Sequence, residues 1–251
     1  MKSKIKFFGS FFLVVVIGFT FITCDPEGGD PACTHIAGNT PPCTTAQSCT
    51  KCGNILQAKL GHDHISSLIC KRDGCDHQYA LGDTGPAGGK IIYVAPTGFT
   101  VTSTTSAFTT YTAYYIEAAP TNAGSSIRWS TQSSSPFPNV TGTLETIGSG
   151  RNNTALIIAA EQTAHPSNAY IYAALACDNY SVASFNDWFL PSRNELNQLY
   201  LRRADFSITT GLFWSSSQVD FDYAWRQNFD NSVQIGNGKN GNHVVRAVRA
   251  F

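Results

Sequence analysis

The sequence predicts an α+β fold in which strands outnumber helices. Short runs rich in aromatic and β-branched residues recur between Lys90 and Phe251, as they do in half-buried strands. Only the stretch from Asn152 to Gln162 and the one following Ser192 have the apolar spacing of a helix. A single Met among abundant Thr, Ser, Gly and Asn is the composition of a strand- and loop-rich extracellular protein. At 251 residues the chain can hold one large domain or two smaller ones. With 17 basic and 17 acidic residues it has no net charge, which argues against nucleic acid as a partner.

The N-terminus sets the compartment. Lys2, Lys4 and Lys6 precede an apolar stretch from Phe7 to Ile22, the order of an export signal over residues 1–23. That stretch is short for a membrane-spanning helix, which needs about 20 residues. Cys24 closes it and resembles the lipidated cysteine of a bacterial lipoprotein; an ordinary secreted protein with a chance Cys is the alternative. Lipidation places the protein at the outer membrane or cell surface, held to the membrane by its lipid. Without the three signal lysines the chain is slightly acidic, so no polybasic patch assists the anchor.

Residues 24–48 read as a flexible tether, because seven Pro and Gly residues between Pro26 and Pro42 leave no room for a helix or a paired strand. Residues 49–80 form a small Cys- and His-rich module. Cys49-x-x-Cys52 and Cys70-x4-Cys75 are two pairs of the kind a structural zinc site draws on, with His62, His64 and His77 as substitutes. Disulfides are the alternative, since export favours them and with Cys33 and Cys43 there are six Cys, an even number that disulfides would use up. A closed four-ligand site has no open position, so neither reading is catalytic.

The remainder, 81–251, is nearly free of Cys. Gly85-Pro86-Ala87-Gly88-Gly89 opens it, ahead of a strand at Lys90 to Val94, a second at Tyr114 to Pro120 and a short third at Ile127 to Ser130. The helix from Asn152 to Gln162 presents Leu156, Ile157, Ala159 and Ala160 and ends before Pro166. Ser192 and Glu195 have the Ser-x-x-Glu spacing of a capping box, and Leu196, Leu199 and Tyr200 give the helix behind them an apolar face. Strands at 212–217, 224–229 and 244–251 close the chain.

Several features carry weaker signals. Gly148-Ser149-Gly150-Arg151 lacks the third Gly of a dinucleotide fingerprint and the Lys of a P-loop, and reads as a turn before a capped helix. His165 has no nucleophile in a recognisable elbow to serve. Cys177 reads as a buried thiol. Between the strands around Trp214 and Trp225 lies Val219-Asp220-Phe221-Asp222-Tyr223, with neither Gly nor Pro and no clear turn signal. Its two carboxylates fall far short of the six to eight oxygens that calcium takes. It reads as a solvated loop that exposes apolar and aromatic side chains.

Together, Gly85 to Gly89, Asp187-Trp188-Phe189-Leu190-Pro191-Ser192-Arg193-Asn194-Glu195-Leu196, Phe213-Trp214-Ser215-Ser216-Ser217, Ala224-Trp225 and Val245-Arg246-Ala247-Val248-Arg249 form a specific combination. It resembles the C-type-lectin-like domains of the formylglycine-generating-enzyme type, and within them the variable proteins of diversity-generating retroelements. The resemblance covers 81–251 and implies a C-type-lectin-like fold. In that family a reverse transcriptase rewrites the end of the gene at adenines, turning Asn codons into many residues but not into Lys, Glu, Gln, Met or Trp. The resemblance thus implies a variable ligand-binding surface at Val219, Asp220, Phe221, Asp222, Tyr223, Arg226, Asp230, Asn231, Val233, Ile235, Gly236, Asn237, Gly238, Asn240, Gly241, Asn242 and His243. Gln218, Trp225, Gln227, Gln234 and Lys239 would be scaffold. The asparagines serve equally as ordinary turn residues.

The chain also departs from its relatives in fold. Enzymes of this type depend on a late cysteine pair, whereas Cys177 is the only Cys after Cys75, so the resemblance does not extend to enzymatic activity. The tripeptides by which sugar-binding lectins hold calcium are missing. The expectation is a lipid-anchored surface protein that binds an extracellular protein or glycan. An adhesin of fixed specificity for host glycan or matrix is the alternative.

Overall fold

A computed structural model describes residues 47–48, 55–57, 63, 67–71, 77–167 and 169–251. The signal segment, Cys24, most of the tether, and Cys49, Cys52 and Cys75 lie outside the described residues. Within Met1–Gly61, β1 (Gln47–Ser48) pairs antiparallel with β2 (Ile55–Gln57), so the last two residues of the expected tether are strand. No helix among the described residues is long and apolar enough to cross a membrane.

The second unit, His62–Phe251, is mixed α+β, mostly sheet with few helices. Its long hairpin, β3 (Lys90–Val101) and β4 (Tyr111–Ala118), joins β10 (Val248–Ala250) in a three-stranded sheet ordered β10-β4-β3. A five-stranded sheet, β5-β9-β6-β7-β8, is built from β5 (Gly124–Arg128), β6 (Leu212–Gln218), β7 (Tyr223–Asn228), β8 (Gln234–Gly238) and β9 (Asn242–Val245). The expected single strand at 244–251 is therefore two. Ala119 N–H to Ala247 O (2.9 Å) and Phe189 N–H to Val248 O (2.8 Å) hold the chain where it leaves one sheet for the other.

Three helices pack on the sheets: α1 (Gly150–Ala164), α2 (Ala173–Asp178) and α3 (Arg193–Leu201). The expected apolar face of α1 is displaced. Ala159 is exposed, and the buried face combines Ile157 with Asn152, Asn153, Thr154 and Glu161. These polar groups are bonded inside: Asn153 Nδ2 donates to Leu144 O (2.6 Å) and Ser216 Oγ (3.1 Å), and Thr131 Oγ1 donates to Glu161 Oε2 (2.6 Å). Helix periodicity scores only hydrophobicity, so it cannot see a face buried through hydrogen bonds. The short α2, around the fully buried Cys177, has no counterpart in the sequence expectations.

The capping box of α3 is present and does more than cap. Ser192 Oγ accepts from Glu195 N–H (3.3 Å), and Glu195 Oε2 accepts from Ser192 N–H (2.7 Å). The other oxygen, Oε1, accepts from Gly148 N–H at the entry to α1 (2.8 Å), so one buried carboxylate serves two helix N-termini. Ser149 is the N-cap of α1 but makes no side-chain cap bond, and its hydroxyl donates to Thr146 O instead (2.6 Å). Burial pushes the Glu195 carboxyl up to about 7 against the N–H groups that favour its charge.

Three buried clusters fill the unit. Trp129, Ile157, Trp188 and Trp214 centre the one beneath α1 and α2. Ile92, Phe189, Leu196, Phe213, Phe229 and Val248 centre the next, which α3 covers. In the third, Tyr79 packs with Ile91, Tyr115 and Phe251, which carries the packed unit upstream of residue 81. The Gly85–Gly89 turn wraps a buried carboxylate. Glu117 accepts from Ala87 N–H (3.1 Å) and Gly89 N–H (2.8 Å), and Arg249 lies 3.3 Å away. A Cβ on Gly89 would fall 2.0 Å from Ala118 O, and Gly88 has φ +81°, so the glycines of this motif are sterically required. Arg249 also grips Asp187 through Nε (2.8 Å) and Nη2 (3.0 Å).

Candidate functional site

The positions expected to vary gather on β7, β8, the start of β9 and the loops between β6 and β9. The serine run of β6 anchors this region. Ser215, Ser216 and Ser217 are buried, and each hydroxyl is bonded: Ser215 Oγ donates to Trp225 O (2.9 Å), Ser217 Oγ to Leu144 O (2.8 Å), and Ser216 Oγ accepts from Asn153. Small hydroxyl side chains fit here because the β6–β7 register breaks between Trp214 and Gln218, leaving backbone groups to be met by side chains.

Beyond Gln218 the chain turns sharply, and Asp220 makes the turn. Its Oδ1 accepts from Asp222 N–H and Tyr223 N–H, both at 2.9 Å, an Asx turn. The absence of Gly and Pro therefore did not mean the absence of a turn signal. The backbone closes the loop: Val219 N–H and Asp220 N–H both donate to Tyr223 O (2.9 and 3.2 Å). Val219, Phe221 and Tyr223 are left exposed at 43%, 42% and 48%.

Lys239 supports this loop from beneath. The side chain is fully buried, yet its three acceptors are neutral: Phe221 O (2.7 Å), Gln218 Oε1 (2.7 Å) and Pro138 O (3.2 Å). It lies 4.9 Å from the centre of the Trp129 ring. Burial lowers its pKa to about 8, against the opposing pull of Glu161, Asp220 and Asp222. Its own N–H donates to Asp222 O (3.0 Å). Gln218 extends the support, accepting from Val140 N–H (3.0 Å) and donating to Asn139 Oδ1 (2.9 Å).

On one face of the hairpin, Trp225 is half-buried under the Arg193 guanidinium, 3.7 Å from its centre. Arg193 is held by Glu145 (2.7 Å) and Gln234 (2.9 Å). On the opposite face, Arg226 Nε donates to Asn237 Oδ1 (3.1 Å). Nearby, the His243 ring lies 4.5 Å from that of Trp214. Burial, and then Arg226, lowers the His243 pKa to about 4, and its buried Nε2 has no hydrogen-bond partner.

Every position expected to vary is exposed or half-buried. Asp230, Asn231, Val233, Ile235, Asn240 and Asn242 are open to solvent, while Gly236, Gly238 and Gly241 are half-covered backbone. Gln227 and Lys239, interleaved among them, are fully buried. Some asparagines have structural duties: Asn231 Oδ1 accepts from Val233 N–H (3.2 Å), and Asn240 Nδ2 donates to the distant Ser133 O (3.1 Å). Periodicity could not find the Asp220 turn or the Arg193–Trp225 stack. The signal for the first was Asp three residues before a strand start, and the second joins residues distant in sequence.

Of the candidate ligands in the Cys-rich module, His77 packs edge-on against Tyr79 at 4.7 Å, and Cys70 is the one cysteine of the four that lies among the described residues. It is buried, and its sulfur accepts from Asp63 N–H at 3.3 Å, a bond that a metal thiolate and a half-cystine can both accept. Among the described residues no group of three or more His, Cys, Asp or Glu side chains could hold a metal ion. No family model matches this chain, and no curated protein does.

Proposed function

We propose that this chain is a lipid-anchored surface protein with a C-type-lectin-like domain, whose last strands and loops bind an extracellular ligand and are diversified by a retroelement. The supporting observation is the exposure of residues 218 to 243. The positions expected to vary are exposed or half-buried, and of the five residues of excluded types Gln227 and Lys239 are fully buried while Gln218, Trp225 and Gln234 are half-buried. The loop conformation rests on backbone bonds, the Asp220 turn and Lys239, so Phe221 and Tyr223 are free to contact a partner. Exposed aromatic side chains supply rigid contact area at low entropic cost.

The test is to replace Asp220, Phe221, Asp222, Tyr223 and Arg226 together with Ser and screen both proteins on an array of extracellular proteins and glycans. Wild type should bind at least one feature that the variant does not, and a calcium chelator should leave that binding intact. Equal binding by both would refute the reading. The structural duties of Asn231 and Asn240 suit an adhesin of fixed specificity equally well. A near-copy of the gene's end, differing at adenines and lying beside a reverse transcriptase gene, decides between the two. Anchoring is checked separately, since Cys24→Ala should release the chain from detergent-partitioning membranes. The Cys-rich module binds zinc in this reading; metal-free protein with two disulfides by mass spectrometry would exclude that.

A further inference from the structure

We infer that the open edge of β8 recruits an extended segment of a polypeptide ligand, which adds to the five-stranded sheet as a further strand. The inference rests on the display reading above and names the class of its ligand.

The ladder between β7 and β8 sets which backbone groups are available. Asn228 N–H donates to Val233 O (2.8 Å) at one end, and Lys239 N–H donates to Asp222 O (3.0 Å) at the other. Between them the register runs unbroken, with Arg226 opposite Ile235 and Ala224 opposite Asn237. Antiparallel pairs alternate between bonded and non-bonded, so residues 233, 235, 237 and 239 direct their N–H and C=O groups at β7. Gln234, Gly236 and Gly238 then direct theirs away from the sheet. Gly238 O is already met by Gly241 N–H (2.8 Å). The backbone groups of Gln234 and Gly236 remain, donor and acceptor alternating along an extended chain. Another extended polypeptide carries the matching array at the matching spacing, which a sugar does not.

The other edges of the unit are guarded, as exposed strand edges usually are. β5 carries Arg128, and its register breaks between Gly124 and Ile127. β3 carries Lys90, and its register breaks twice. β10 is three residues long and buried throughout. β8, Gln-Ile-Gly-Asn-Gly, has no charge, no proline and no bulge. Gly236 has no side chain to hinder an approaching strand, and Ile235 and Val233, exposed at 48% and 50%, stand ready to pack against it. The arrangement also suits a surface whose side chains change. Backbone bonds supply affinity that survives diversification, and the flanking side chains set specificity.

Linear random peptides displayed on phage are selected against the full chain, and enriched peptides are resynthesised with single N-methyl groups along their backbone. Strand addition predicts that N-methylation weakens binding roughly tenfold at every second residue and little at the residues between, as loss of one well-placed backbone hydrogen bond should. Gly236→Pro, which removes an outward N–H without touching the ladder, should weaken all the peptides together. The N-methyl scan leaves the protein unaltered and so stands even if that variant folds poorly. Peptides that bind without the two-residue pattern would overturn the inference and leave the display reading in place. Failure to enrich any peptide would overturn it too, while the array result judges the display reading independently. A concentration-dependent dimer in sedimentation, abolished by Gly236→Pro, would assign the edge to a second copy of this chain and equally overturn it.

Discussion

Glu117, Asp187 and Arg249 on the one hand, and Asp220, Asp222 and Arg226 on the other, are each two acids and an arginine, in opposite situations. The first set is a knot of side chains. Arg249 reaches both carboxylates, Glu117 is fully buried, and the Gly85–Gly89 turn closes over it. The second set lies on a rim shaped by backbone bonds and two side chains: Tyr223 O takes two N–H donors, Asp220 Oδ1 takes two more, and Lys239 rises from below to hold Phe221 O. In the knot a changed side chain is a changed fold. On the rim most side chains can change while the backbone keeps its course, and this is the physical requirement for a surface that varies.

The comparison breaks first in the core. Arg249→Met leaves the Glu117 carboxylate buried without its cation and should cost about 3–5 kcal/mol in denaturant unfolding. Trp188→Ala or Trp214→Ala should cost a similar 3–5 kcal/mol, through a cavity rather than a charge. An unmoved unfolding midpoint in any of the three would mean that the core lies elsewhere.

Lys239 tests the support itself. Lys239→Met keeps the bulk but leaves Phe221 O and Pro138 O unmet, so stability should fall by about 1–3 kcal/mol. The same change should raise amide hydrogen exchange at Val219 and Tyr223 more than in β6. Uniform exchange across both would show that the loop needs no support from beneath.

His243 gives the rim a pH dependence. Its pKa is lowered from 6.5 to about 4, so between those values the unfolded chain binds the proton more tightly than the folded one. Stability should therefore be lost as pH falls from 6.5 towards 4. Glu195, raised to about 7, acts in the opposite sense over an overlapping range. The informative quantity is thus the stability difference between wild type and His243→Gln, which should shrink on acidification. A difference independent of pH would mean that the ring is open to solvent.

The smallest effect belongs to the rim side chains. Replacing Asp220, Phe221, Asp222, Tyr223 and Arg226 together with Ser should shift stability by no more than about 1 kcal/mol, as surface changes usually do. Serine can still cap the turn at position 220, which helps keep the backbone in place. A large loss would make the loop part of the folding core and remove it as a display surface.

The sequence by itself determined what is local. The Ser192–Glu195 capping box, the helix behind it, the strands around Trp214 and Trp225 and the exposure of the 219–223 loop depend on neighbours within a few residues. The Asp220 turn was equally local and was missed only because Gly and Pro were taken as its markers. Tertiary structure decided the rest, because distant partners set it. The polar face of α1 is buried since Ser216, Leu144 and Thr131 meet it, and the last strand divides because β4 and β5 each claim half of it. Lys239 shows the same division. Its residue type marked it as scaffold, but only the fold, by closing Trp129, Gln218 and Pro138 around its ammonium, made it the support beneath the rim.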